Sequence, residues 1–363
     1  ALSLIALAVF VLTTKTALTL ALAVLVVAAA ALDRRYRLAE MGFFVQAATA
    51  VISYRLLVDP GLFWALEAGL GEVVLAFGAV IAACIVALRM LAPLQRDLAK
   101  GVLESAAAAF AAILANVLIT RLLTPDGMAA QTDTHWGATL NAMPWLVLML
   151  VQVYRARLGG TLRRLRQMLA AVAGALAGAG LALSATVLNP LIGRMGDAQA
   201  RVIGPPVLDS LALAYGIPGL VLALAAWKLA GLEARARKVF VGAGAALLAL
   251  YAGLEIRRLW QGDWLGVPGV LQPELYSYTV AMMLVGAALL YQAIARPSDL
   301  LRRIGMAVIA ATVVKVFFLD AAGLTGLTRV ASFAGLGLAL AGLAWLNRWA
   351  GQRAAERDAP TAG

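Results

Sequence analysis

Apolar runs of about 20 residues, long enough to cross a hydrocarbon core as helix, recur along the whole chain and are joined by connections that alternate in charge. Lipid offers a backbone no hydrogen bonds, so such runs must satisfy their own amides as helices. One kind of connection is short and basic, as in DRRYR (Asp33–Arg37), RARLGGTLRRLR (Arg155–Arg166) and ARPSDLLRR (Ala295–Arg303). The other is mixed and rich in Gly, Pro and Asp, as in VDPGLFW, TPDGMAAQTDTHWG and QGDWLGVPGVLQPE. Composition excludes a soluble domain: 63% of the 363 residues are hydrophobic and 13% charged, against roughly 45–50% and about 25% in soluble proteins.

The expected fold class is an all-α integral membrane protein of about 11–12 transmembrane helices, arranged as repeated helical hairpins. The pattern predicts spans near 1–12 (incomplete), 15–32, 38–58, 66–90, 99–123, 138–155, 165–188, 207–229, 237–260, 273–294, 301–319 and 328–349. They form one polytopic domain over 1–350, in hairpins 1–32, 38–90, 99–155, 165–229, 237–294 and 301–349, with a short disordered tail at 351–363. The first run stops at Thr13, Thr14 and Lys15 and reads as the end of a helix whose beginning is missing.

Charge divides the connections by side. The basic ones and the tail hold 21 Lys and Arg against 8 acids, the rest of the chain 9 against 11, so the net +11 separates into +13 and −2. Cytoplasmic loops carry the Lys and Arg excess, which places the basic side and the C-terminus in the cytoplasm, in contact with anionic headgroups. Cations spread in this way form no nucleic-acid surface. The expected partners are membrane lipids, anionic ones at the cytoplasmic face, and other membrane proteins.

At the far end of several rising helices a cation is followed four or five residues later by an aspartate: Arg55 and Asp59, Arg121 and Asp126, Arg258 and Asp263, Lys315 and Asp320. The recurrence suggests a duplicated helix pair. One hairpin departs from it, ending at Asn189 and Pro190 with Arg194 and Asp197 out in the loop. Cations near helix ends commonly snorkel to headgroups. The sharper alternative is that Arg55, Arg121, Arg258 and Lys315 converge on a polar cavity that binds an anionic group such as phosphate, carboxylate or a lipid head.

Other polar residues within the runs read as structural. Asp320 and Arg329 each oppose the dipole of their own helix and are expected to pair across the turn between them. Glu255 has Arg258 at helical spacing, and Glu104 has Lys100 four residues before it, both suited to local ion pairs. Asn116 lies deep enough to bond another helix. Asp209 reads as a first-turn acid, and Pro144 and Pro218 as kinks or interruptions. Cys84, the single cysteine, reads as a small buried hydrophobe.

His135 is the single histidine and reads as a solvated turn residue, because a metal site wants several converging ligands. No metal or other cofactor is expected. Neither a phosphate-cradling loop nor a serine-nucleophile signature is legible, so no catalytic residue is assigned.

The stretch IGMAVIAATVVKVFFLDAAGLTGLTRVASFAGLGLALAGLAWL (Ile304–Leu346) resembles the C-terminal portion of a large uncharacterised bacterial family of multi-pass predicted membrane proteins, a domain-of-unknown-function family. The likeness is sharpest in the Lys-Val-Phe then Asp pattern, the Gly-Leu turn, Arg329 and the Ser332-Phe333 helix start, and extends more loosely back to DRRYR. It implies a bacterial inner-membrane location, and members that are often longer at the N-terminus; it implies no activity.

These observations favour a transporter-like or lipid- and anion-handling protein with a cationic cavity toward the non-cytoplasmic side. The alternative is a membrane scaffold or assembly partner of a cell-envelope complex. An enzyme of lipid-linked glycans ranks third, since the connections are short and no acid cluster stands out.

Overall fold

The computed structural model describes residues 15–124, 131–157, 159, 162–194, 196–229, 232–320 and parts of 330–348. Among these every regular element is helical: α1 (Lys15–Tyr36), α2 (Glu40–Leu57), α3 (Gly61–Glu67), α4 (Leu70–Leu91), α5 (Asp97–Leu123), α6 (His135–Arg157), α7 (Arg163–Ala185), a π-helical turn (Ala212–Gly216) running into α8 (Ile217–Lys228), α9 (Ala234–Gln261), α10 (Gln272–Ala295) and α11 (Asp299–Lys315), which runs into a second π-helical turn (Val316–Asp320).

Seven of these helices (α1, α4, α5, α6, α7, α9 and α10) are long and apolar enough to cross a membrane; α2 and α3 pass the same test together but are bent by 57° at their break. The ends fall within a few residues of the spans expected from 15–32 to 301–319. The runs at 1–12 and 328–349 and the tail at 351–363 lie outside the residues described in full.

The connections set the ends through helix electrostatics. Acids sit in first turns (Glu72 on α4, Asp97 on α5, Asp299 on α11) and bases in last turns (Arg34 and Arg35 on α1, Arg155 and Arg157 on α6). Each sign matches the partial charge of its helix end. Ser298 adds a side-chain cap on α11, accepting from the Leu301 amide at 3.4 Å.

The chain forms two compact units, one of residues 1–252 with 263–266, the other of 253–262 with 267–363. In the first, α1, α2, α4 and α5 enclose a core that includes Val26, Val45, Ile52, Phe77, Val80, Leu103 and Phe110. A smaller cluster of Ala112, Leu148 and Ala173 joins α5, α6 and α7.

Small residues bring helices close where burial alone drives no association in lipid. A Cβ on Gly180 of α7 would lie 2.8 Å from the Ala142 Cβ of α6. One on Gly219 of α8 would lie 2.9 Å from Leu248 Cγ of α9. In the second unit α10 packs on α11, with Gly286 against Ile309 and Gly305 against Leu290.

Ion pairs between helices stand at the basic ends of the first unit. Asp33, fully buried at the end of α1, accepts from Arg96 Nε at 3.0 Å and Nη2 at 3.2 Å. Its hydrogen bonds hold the Arg96 guanidinium above its already high ordinary pKa. Glu104 of α5 does not pair with Lys100. It accepts from Arg155 of α6 and from Arg166 of α7, the latter at 3.4 Å, while Lys100 turns to Asp97 at 3.0 Å. A pair along one exposed helix face contributes only a few tenths of a kcal/mol; guanidinium groups from two neighbouring helices satisfy a half-buried carboxylate better.

Candidate functional site: polar groups at the mixed ends of the helices

The four cations singled out by the sequence divide between the units. In the first, Arg55 in the last turn of α2 is only 7% exposed and lies 3.7 Å from Asp59. Arg121, in the last turn of α5, donates through Nη2 to the Ala68 carbonyl just beyond α3. Its Nε is buried and has no hydrogen-bond partner among the described residues.

In the second unit Arg258, in the last turn of α9, is 9% exposed. Lys315, the last residue of α11, donates from Nζ to the Leu275 carbonyl at 2.8 Å and to Thr279 Oγ1 at 2.7 Å, both on α10. The positions of Asp126 and Arg329 and the side chain of Asp320 lie outside the described residues, and with them the expected pairing of Asp320 with Arg329. Asp263 accepts from Arg201 at 3.2 Å. Glu255 is partly buried on α9, one turn before Arg258.

Asn116 joins two helices. It donates from α5 to the Asn141 carbonyl of α6 at 2.8 Å and to Asn141 Oδ1 at 3.2 Å, and Thr120 donates to the same Oδ1 at 2.8 Å.

His135 departs from expectation. It is no solvated turn residue: it opens α6, is fully buried, and holds Ser210 Oγ at 2.9 Å from Nε2. The reason lies in the chain around it. Pro218 has no amide hydrogen, so the Ala214 carbonyl four residues earlier loses its helical partner; Thr139 of α6 supplies one, its hydroxyl donating at 3.1 Å. Ser184, near the end of α7, donates to the His135 carbonyl at 2.6 Å, and Tyr215 donates to the Ser184 carbonyl at 2.7 Å. The π-helical turn is thereby fastened to α6 and α7 by side chains that donate to backbone carbonyls. Gly137 permits the tight entry of α6, for a Cβ there would lie 2.0 Å from the Gln131 oxygen. Pro144, expected to kink or interrupt its helix, lies inside α6, which runs without a break.

His135 Nδ1 has no hydrogen-bond partner among the described residues, so the His135–Ser210 contact is not set in the three-group arrangement in which a further residue orients the base. Asp209, next to Ser210, caps the amides of Leu211 and Ala212 at 2.9 Å each. No group of three or more His, Cys, Asp or Glu suited to a metal ion occurs among the described residues.

A second buried node, not singled out from the sequence, surrounds Glu274 in the first turn of α10. The residue is fully buried. Its carboxylate accepts from Arg257 at 3.0 Å, Gln261 at 2.9 Å, the Leu271 amide at 3.3 Å and Tyr278 at 3.2 Å. The signal was an acid within a helix first turn, set beside an arginine pair at the end of the preceding helix.

No curated protein and no solved structure matches the chain. The family described as "Predicted membrane protein (DUF2339)" does, over residues 1–349, in keeping with the apolar helices laid out above, and the chain belongs to that family.

Proposed function

We propose that this multi-pass membrane protein is a transporter-like, anion- or lipid-handling protein of the bacterial inner membrane, with the basic connections and C-terminus in the cytoplasm and its working cations at the non-cytoplasmic helix ends. What supports this reading is the burial of Arg55 and Arg258, at 7% and 9% exposure. A snorkelling cation keeps its head in water; these two face protein. Buried intramembrane cations commonly mark a polar pathway. Arg121, held by a neutral carbonyl rather than a carboxylate, brings a further positive charge to that end of the first unit. Exposed Arg34, Arg35, Arg163 and Arg164 at the basic ends suit contact with anionic lipid. A scaffold role has no separate observation in its favour, since lipid covers the exposed apolar faces as well as a partner protein would.

The test is retention of two probes by the purified full chain in nanodiscs: inorganic phosphate as a free anion, and phosphatidylglycerol as a lipid head. Arg55→Leu with Arg121→Leu should weaken binding of one probe at least about tenfold, the effect of losing about 1.4 kcal/mol. Weakening with phosphate assigns a free anion, and weakening with the lipid assigns a headgroup. Unchanged retention of both, at normal protein level and thermal stability, overturns the proposal.

A further inference from the structure

Gln152 is fully buried on α6, yet neither its amide oxygen nor its amide nitrogen has a hydrogen-bond partner among the described residues. Among the other buried groups in this condition are the Ser105 hydroxyl on α5, in a residue 3% exposed, and the Nε of Arg166 on α7. Buried polar groups are ordinarily bonded, and a membrane helix has no water at hand to make good a missing bond.

The three stand at one level. Asn116 meets Asn141, and Glu104 meets Arg155, so α5 and α6 run antiparallel in a register that sets Gln152 opposite residues 105–107. The guanidinium of Arg166 lies over Gly101, whose Cβ would be 3.5 Å from Arg166 Nη2. Gly101 is one helical turn from Ser105 and on the same face of α5. Arg166 also donates to the Arg155 carbonyl at 3.2 Å, and Arg155 is one turn from Gln152 on α6. Ser105, Gln152 and the Arg166 guanidinium therefore border the same part of the space between α5, α6 and α7.

Charge and size narrow what fits. Arg155 and Arg166 share the single carboxylate of Glu104, which leaves one surplus positive charge beside the cluster. The unmet groups include three donors: a hydroxyl, an amide NH2 and a guanidinium N–H. One or two turns farther along, the helices are in contact through Ala112, Leu148 and Ala173, which limits any occupant to one or a few atoms.

We propose that this cluster is a binding site for a small monovalent anion of halide size, near the basic ends of α5, α6 and α7. It is separate from the cations at the mixed ends and does not depend on the function proposed for them. An anion takes up the three donors and the surplus charge together and leaves the Gln152 amide oxygen unmet; a water molecule can meet that oxygen but leaves the charge in place.

The test uses the purified full chain in nanodiscs, with chloride or bromide titrated against gluconate at constant ionic strength. The thermal midpoint of the wild type should rise saturably with either halide. Ser105→Ala and Gln152→Leu should each weaken the apparent halide affinity at least fivefold, while Thr120→Ala, outside the cluster, should keep the wild-type response. Ser105→Ala removes a single oxygen and remains readable if Gln152→Leu fails to fold. A flat wild-type titration, as a water-filled cluster would give, overturns the proposal, and so does an undiminished halide response in Ser105→Ala.

Discussion

Glu274→Ala should destabilise the second unit by about 3–5 kcal/mol, the usual cost of removing one partner from a buried charge pair. The carboxylate is fully buried and takes four donors from three sources: the end of α9, the loop before α10, and α10 itself. Its loss leaves the Arg257 guanidinium, whose side chain is 12% exposed, without the carboxylate that faces it at 3.0 Å. Glu274→Gln keeps the shape and some acceptor capacity and should cost less. Arg257→Leu combined with Glu274→Leu should cost less than the sum of the two single changes, because neither partner is then left behind. Thermal unfolding of the purified protein in detergent measures all of these. A midpoint for Glu274→Ala equal to wild type would show that the carboxylate contributes no stability.

His135→Ala should be the next most damaging change, by about 2–4 kcal/mol, from the cavity left by a buried ring and the loss of a bond to a buried hydroxyl. The imidazole stacks on Tyr215 with centroids 6.4 Å apart and holds Ser210 at 2.9 Å. Ser210→Ala alone should cost less, since the ring remains to fill its space. Thr139→Val should loosen the π-helical turn in particular, as the Ala214 carbonyl has lost its helical amide to Pro218 and takes the Thr139 hydroxyl instead. Protection of the 212–216 amides from hydrogen exchange reads that loosening directly. Wild-type stability in His135→Ala would mean that neither the packing of the ring nor its bond to Ser210 contributes to stability.

The course of the helices was legible because lipid imposes a length and a composition that no loop imitates. The spans at 97–123 and 272–295 lie where apolar runs end in charge. Pairing between helices was less legible. Lys100 stands four residues before Glu104, and only the packing of α6 and α7 against α5 shows that Arg155 and Arg166 displace it. His135 was misread because its neighbours Asp133, Thr134 and Gly137 look like a turn. Its burial depends on residues about 50 and 75 positions away, Ser184 and Ser210, and no local pattern encodes such meetings. Glu274 was passed over for the same reason: a first-turn acid looks ordinary until Arg257, Gln261 and Tyr278 are brought around it. Gln152 carried no signal at all, being one polar residue in an apolar run.

The central claim is that this chain threads a membrane repeatedly, with its basic connections on the cytoplasmic face. Labelling of single cysteines in spheroplasts tests it most directly. With Cys84 replaced by Ala, Arg164→Cys places a thiol at an exposed basic end and Gln199→Cys places one in an exposed mixed connection. A membrane-impermeant maleimide should modify Gln199→Cys in intact spheroplasts and Arg164→Cys only after permeabilisation. The reverse order would contradict the orientation, and labelling of both in intact spheroplasts would contradict the threading itself.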